Sequence, residues 1–368
     1  MEYIEEAAWI WLSLMGRPVN LMAEILLRVY GSLQQAWAVC SPADVLPEIR
    51  QHIKAAERLI APETKEQALR IYEQALRANM RMTHINRPDY PEQLRMIYHK
   101  PLILYYYGRL PVQLSKSPPL IAVVGARRCT AYGRNVCYFI SKHLAAEGVG
   151  IVSGMARGID GQAHKGALSA NGYTIAVLGC GADMVYPAEH AGLYEQIREQ
   201  GCILSEQPPG TPPLKYHFPA RNRIIAGLCA GTLVCEAAKK SGAMITVERA
   251  LDENRNVYAI PGNISSEMSE GCNALIQNGA KCVTAYTDIL EDLGLAAAHS
   301  AAGEPGWLNG LNGTEAAVAN AIWKGARELD QIVDAAESTA GAVASALTML
   351  EVRGIIRQSG EGEYYVII

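Results

Sequence analysis

At 368 residues, with 49% hydrophobic content and a formal net charge of −4, the chain has material for two or three domains and no overall bias toward an acidic or basic partner. Its nine cysteines form no C-x-x-C pair and no Cys/His spacing suited to a metal, which argues against a disulfide framework and for free thiols in a reducing cytoplasm. No apolar run approaches the roughly 20 residues that span a bilayer, and the acidic start "MEYIEEAAW" lacks the basic region of a signal peptide, so a cytoplasmic protein without membrane segments is expected.

Residues 1–82 read as an all-α region. "AEILLRVYGSLQQAW" has helical spacing broken at Gly31, and "TKEQALRIYEQALRANM" repeats apolar residues three and four apart. A Pro-rich, tyrosine-dense passage follows, "NRPDYPEQLRMIYHKPLILYYYGRLP", more extended in character. From Leu120 the texture changes. "LIAVVGA", "GIVSG", "YTIAVLG", "CILSE", "GTLVCEA" and "NVYAIPG" are short apolar runs separated by helical stretches. Such alternation predicts an α/β domain over 83–294 with a parallel sheet covered on both faces. Nearly every run ends in Gly, Ser or Glu, at the carboxyl ends where open α/β sheets bind ligands. A linker at 295–309 leads to residues 310–368, where three helices and a hairpin around a Gly-rich turn form a winged-helix pattern.

Charge is unevenly placed along this chain. Between Gln93 and Ala146 there are eight basic residues and no Asp or Glu, whereas the stretch from Thr284 to the end carries 4 basic against 12 acidic side chains. Duplex affinity comes mainly from Lys and Arg neutralising phosphates, so the acidic tail is expected to bind protein in place of DNA.

The candidate chemistry lies in the strand-end loops. In "GARRCTAYG", Gly125 permits close backbone approach and Arg127 and Arg128 project from the turn, either toward a ligand or into solvent. A full G-x-G-x-x-G is absent, which counts against ordinary dinucleotide binding. "SGMARGIDGQAH" places Ser153, Gly154, Gly158 and Gly161 in a turn whose N–H groups suit a phosphate or simply allow close packing. Asp160 and His164, four apart, form either an acid–base pair or a helix-capping Asp with a solvated His. In "GCGADMVYP", Gly179 and Gly181 fit a turn, and Asp183 bonds either a sugar hydroxyl or its own loop. "SGAMITVERA" opens a helix with Gly242 and Thr246, and Glu248 on the second turn is the one carboxylate worth considering as catalytic.

"PPGTPPLKYHFPARNRIIAGL" is the most telling stretch. Lys215 and Phe218 interleave cation and aromatic, the arrangement that neutralises backbone phosphates while bases stack, although Phe218 would equally serve as packing beneath a helix. Pro219 suits a first helical turn. Arg221, Ile224, Ile225 and Leu228 then fall on one inward face. Arginine at a helix amino end needs an anion nearby. Glu206, Glu236 and an external phosphate are the candidates for Arg221 and Arg223.

These blocks, together with "DYPEQL", "SEQPPGTPP" and "AIPGN", resemble the bacterial DNA-processing protein A (DprA/Smf) family over about residues 86–283. The resemblance implies an extended Rossmann-like core, a sterile-alpha-motif-like helical domain before it and a winged helix after it. It also implies a homodimer without cofactor or metal that binds single-stranded DNA without catalysis, protects DNA taken up in natural transformation and helps load the RecA recombinase. Carried onto this chain, the family's G-x-R arginine is Arg127, and its DNA pocket falls on Lys215, Phe218, Arg221 and Arg223, with a DNA phosphate as the expected anion opposite Arg221. Phosphate-cradling turns would then include Gly125, Ser153, Gly154, Gly181 and Gly242. The alternative is a nucleotide-processing phosphoribohydrolase of the same Rossmann-like superfamily. "SGAMITVE" keeps Thr246 and Glu248 in rough position but lacks the double-glycine lead of that motif.

Overall fold

The computed structural model describes residues 2–14, 19–39, 61–111, 119–295, 311–359 and 362–366. Packing divides the chain into two compact units, residues 1–295 and 296–368. The first begins with helices α1 (Glu2–Ser13), α2 (Val19–Tyr30), α3 (Leu33–Val39) and α4 (Pro62–Arg77). After them come β1 (Arg81–His84), α5 (Glu92–Met96), β2 (Ile103–Gly108), β3 (Leu120–Val124), α6 (Ala131–Ala146), β4 (Gly150–Ser153), α7 (Ile159–Ser169) and β5 (Thr174–Leu178). The unit continues through α8 (Ala191–Gln200), β6 (Cys202–Ser205), α9 (His217–Leu228), β7 (Gly231–Val234), α10 (Ala243–Asp252), β8 (Asn256–Ala259), α11 (Glu270–Gln277), β9 (Lys281–Cys282) and α12 (Thr287–Asp292).

All nine strands form one sheet in the order β1-β2-β6-β5-β4-β3-β7-β8-β9. From β6 to β9 every neighbouring pair is parallel. All five residues of "LIAVV" are buried in β3, as a central strand covered on both faces requires. The six apolar runs of the sequence become β3 to β8. The tyrosine-dense passage supplies what they left out. "ILYYYG" is β2, which pairs antiparallel with β6, Tyr105 opposite Ser205, and β1 pairs antiparallel with β2. Consecutive aromatics hide the period-2 signal, because both faces of β2 are buried.

The boundary expected at residue 82 lies inside β1, and the leading helices share a core with the sheet. Trp9, Trp11, Leu12, Met22 and Leu26 belong to one buried cluster with Leu102, Ile103 and Tyr105. Fully burying such a side chain is worth about 1.5–3 kcal/mol. Exposing the five helix residues would therefore cost an amount comparable to the whole stability of a typical domain, about 5–15 kcal/mol. A second cluster on the opposite side gathers Ile224, Ile225 and Leu228 of α9 with Ala122, Val124 and Val177. The inward stripe anticipated for α9 is thus realised.

The second unit contains α13 (Gly313–Trp323), α14 (Leu329–Ala335) and α15 (Ala340–Val352), then β10 (Ile356–Gln358) and β11 (Tyr364–Val366). The two strands pair antiparallel with Ile356 opposite Val366, completing three helices and a wing. Asn312 and Glu315 form a reciprocal capping box at the start of α13. Most of the linker expected at 295–309 lies outside the described residues. Among the described residues no helix is long and apolar enough to cross a membrane.

Candidate nucleic-acid interface

The strand order turns back at β3, which has β4 on one side and β7 on the other. Loops leaving such a switch point diverge and open a crevice. A cleft of about 900 Å³ occupies that place, lined by the segments after β3, β4, β5, β6, β7 and β8, with Glu267 contributing an acidic side chain. Arg127, Arg128, Tyr186, Lys215, Phe218 and Lys240 border it.

Phe218 sits in the first turn of α9, half-buried, with Gly179 beneath it. A Cβ on Gly179 would come within 2.9 Å of the Phe218 ring. The Arg127 guanidinium lies 5.8 Å from the Phe218 ring centroid, and Tyr186 tilts toward the same ring at 5.4 Å. Phe218 is therefore packed on one side and presented to the cleft on the other. Lys215, Arg127 and Arg128 are exposed. Cations beside an accessible aromatic make a surface suited to phosphates and stacked rings.

Arg221 borders the cleft but is largely engaged inside the protein, and Arg223 lies away from it. Arg221 is 7% exposed. Its Nη1 donates to the carbonyls of Gly154 (3.0 Å) and Val177, at the ends of β4 and β5. Its charge partner is Asp160. A Cβ on Gly154 would lie 2.6 Å from Arg221 Nη2 and 2.8 Å from Asp160 Oδ2, so both groups crowd a position that only glycine can occupy. Burial lowers the Arg221 pKa to about 10, with Asp160 opposing, so the guanidinium stays charged near neutrality. Burial likewise raises the Asp160 pKa against the pull of Arg221. Arg223 binds Glu206 through a 2.5 Å Nη2–Oε1 contact and does not border the cleft. Glu236 serves elsewhere. Its carboxylate accepts from Thr130 N (2.7 Å) and Oγ1 (2.6 Å) at the start of α6. Asp160, a carboxylate not considered for that place, is the internal charge nearest Arg221, and both residues line the cleft. Asp160 is distant from Arg221 in sequence, and helix spacing gives no sign of their proximity.

The proposed turns also divide. The Ser153 hydroxyl donates to the Val123 carbonyl at 2.6 Å, and Gly181 N–H donates to Thr211, so neither group is left for a phosphate. Asp183 accepts from Gly210 N at 2.9 Å, which is the loop-stabilising role. Gly125 borders the cleft but lacks a side chain because Ile159 and the Glu236 carbonyl crowd it. Gly158 is required at φ +74°, where a Cβ would strike the Ala126 carbonyl. Gly242 stands open at the start of α10. His164 is fully buried with Nδ1 2.8 Å from Thr174 Oγ1, so it forms no acid–base pair with Asp160 in the cleft. Glu248 is exposed and is not among the cleft residues. Tyr186 and Lys240 escaped notice in the sequence, although each follows a strand end, the position where a parallel sheet gathers its ligand groups.

The fold and cleft define a doubly wound α/β protein whose switch point is cationic and aromatic, followed by a winged helix. Sequence models agree. DNA recombination-mediator protein A matches residues 81–294, and the DprA winged helix domain matches residues 302–362. The chain belongs to the DNA-processing protein A (DprA/Smf) family of recombination mediators. It is 49% identical over 203 residues to DNA processing protein DprA of Streptococcus pneumoniae, covering 55% of this chain and 71% of the relative. The X-ray structure of the Streptococcus pneumoniae protein superposes with a TM-score of 0.62 at 37% identity, covering 77% of this chain and 95% of that one. DNA processing protein A of Helicobacter pylori, whose structure is described as revealing a unique single-stranded DNA binding mode, superposes with a TM-score of 0.52 at 28% identity, covering 58% and 95%.

Proposed function

We propose that this chain is a non-catalytic, cytoplasmic homodimer that binds single-stranded DNA in the switch-point cleft, protects strands taken up in natural transformation and helps load RecA onto them. The observation that carries the reading is the Arg127 guanidinium over the accessible Phe218 ring, with Lys215 alongside. Bases stack on the aromatic while cations neutralise the backbone, and neither contact reads base edges. The description of the Helicobacter pylori relative as a single-stranded DNA binder supports the same role. Arg221 enters as a positioning residue that pins the first turn of α9 to the ends of β4 and β5, and Arg223 as a partner of Glu206. Gel-shift titration with oligothymidylate and with a duplex of equal length tests the proposal. Tight, sequence-tolerant binding of the single strand is expected, and equal or stronger duplex binding overturns it. Release of free base from nucleoside monophosphates would instead support the phosphoribohydrolase reading, which the exposed position of Glu248 disfavours.

A further inference from the structure

Of the eight basic residues between Gln93 and Ala146, Arg134 and Lys142 have been given no role. Both lie on α6, the helix that leads away from the loop carrying Arg127 and Arg128. Arg134, Tyr138 and Lys142 are spaced i, i+4 and i+8, so they share one helical face. Arg134 is exposed, and Tyr138 and Lys142 are half-buried. Helix α7 packs against α6 and adds a third cation. A Cβ on Gly166 would lie 2.5 Å from the Tyr138 carbonyl and 3.1 Å from Lys142 N, which sets the exposed Lys165 beside the stripe. The acids of this region are buried or committed elsewhere. α6 contains no Asp or Glu, and the one acid of α7, Asp160, is buried. Glu236 is buried and bonded to Thr130 at the start of α6. Glu189, beyond α7, is taken by Arg157 at 2.8 Å. Glu147, at the end of α6, lies by His143 and Tyr286 on the neighbouring stripe. Arg134 donates to the Cys129 carbonyl at 3.0 Å. Among the described residues Arg134, Lys142 and Lys165 form no ion pair.

We infer that Arg134, Tyr138, Lys142 and Lys165 form a track for the backbone of a single strand leaving the cleft, entered past Arg128. This rests on the single-stranded DNA reading and extends it beyond the cleft. Helix α6 starts beside the cleft, its Thr130 cap two residues after Arg128. It runs 16 residues away from there, about 24 Å at 1.5 Å per residue. Arg134 to Lys142 covers about 12 Å of that length, room for about three nucleotides at the 3.4 Å spacing of a stacked strand. Cations at both ends with an aromatic between them match the alternation of phosphate and base. Such contacts go to phosphates and ring faces, so the track reads no sequence. Continuity with the Arg127 and Arg128 cations of the cleft favours a strand over an acidic protein surface as the occupant.

The full chain is titrated with oligothymidylate of about six residues, enough for the cleft, and of about twenty, long enough to continue along α6. Arg134→Gln with Lys142→Gln removes two cations from the track. Arg70→Gln with Arg77→Gln removes two exposed ones from α4 as a control for overall charge. The track variant is expected to weaken long-strand binding at low salt and to flatten its log K versus log salt slope by about 1.4, two phosphate contacts at about 0.7 each. Its affinity for the short strand should equal that of the wild type, which also certifies the fold. The α4 variant should match the wild type on both strands. Tyr138→Leu, which keeps apolar packing, is expected to weaken the long strand about fivefold without changing the slope. Wild-type affinity and slope for the long strand in the track variant would overturn the inference, leaving the ridge to an acidic protein surface, while the proposed function stands. Equal losses on short and long strands, or equal losses in the α4 variant, would overturn it too, because they report overall charge. If the wild-type chain binds neither strand, the proposed function fails and the track falls with it.

Discussion

Arg221 and Asp160 flank Gly154, one from the first turns of α9 and the other from the start of α7, both lining the cleft and interacting as buried charges without a direct ion-pair contact. The pair joins two helix starts to the ends of β4 and β5 through Arg221 Nη1 and the Gly154 and Val177 carbonyls. Removing one of two buried, mutually offsetting charges leaves the other uncompensated, at a cost of at most about 3–5 kcal/mol, the figure for a pair in direct contact. Asp160→Asn is therefore expected to lower stability by up to that amount in urea denaturation. A loss under 1 kcal/mol would show that the carbonyls alone satisfy the guanidinium.

The cleft variants should separate into two groups. Lys215→Ala and Arg127→Ala are each expected to flatten the salt dependence of single-stranded DNA binding by about 0.7 in log–log slope. Phe218→Ala should lose about 1–3 kcal/mol of stacking with little change in slope. Arg223→Ala is expected to leave the slope unchanged and to lower the melting temperature, because it unpairs Glu206 in a contact where Arg223 is only 14% exposed. A slope change in Arg223→Ala as large as in Lys215→Ala would return it to the DNA site.

Acid should destabilise the fold through two histidines. His84 is buried, stacked on Trp9 at 4.7 Å, and burial lowers its pKa from 6.5 to about 4, with Arg87 adding to the effect and Asp89 opposing. Burial lowers that of His164 to about 3. As pH falls below 6.5 the unfolded chain takes up protons that the folded chain refuses, so stability present at neutral pH is progressively lost down to about pH 4. The Glu5 carboxylate, 3.4 Å from His84 Nε2, favours the protonated form, so His84 contributes at most about 3 kcal/mol, at 1.36 kcal/mol per pKa unit. The urea midpoint is expected to fall between pH 7 and 4.5, and His84→Asn to flatten that fall. An unchanged pH profile in the variant would remove His84 from this role.

Deleting residues 296–368 removes one compact unit and leaves the other whole. Helix α15 exposes Gly341, Ala344, Ser345, Thr348 and Val352, with no basic residue among them. Phosphate neutralisation needs such residues, and the acidic tail repels phosphates within a Debye length, about 8 Å at physiological salt. Affinity for short oligonucleotides should stay level or rise slightly at low salt. A large fall, with the truncated chain folded, would show that the tail touches DNA.

Local patterns were enough to locate the parallel strands β3 to β8, the winged helix and the loops that carry Arg127, Lys215 and Phe218. Those features follow from rules acting over a few residues: apolar runs, glycines at strand ends, and a cation next to an aromatic. Antiparallel β2 was not legible because its three consecutive tyrosines are buried on both faces, which erases alternation. The fusion of the leading helices with the sheet was also hidden, since it depends on Trp9 and Trp11 reaching Ile103 and Tyr105 across the chain. Charge pairing lay furthest from view. The helical stripe showed that Arg221 turns inward and needs an anion, but the choice among carboxylates is made by where β4, β6 and β7 end in space. The tertiary structure gave Asp160 to Arg221, Glu206 to Arg223 and Glu236 to Thr130, leaving Arg127, Lys215 and Lys240 facing the cleft. Coulomb energy depends on separation and burial, and sequence distance fixes neither.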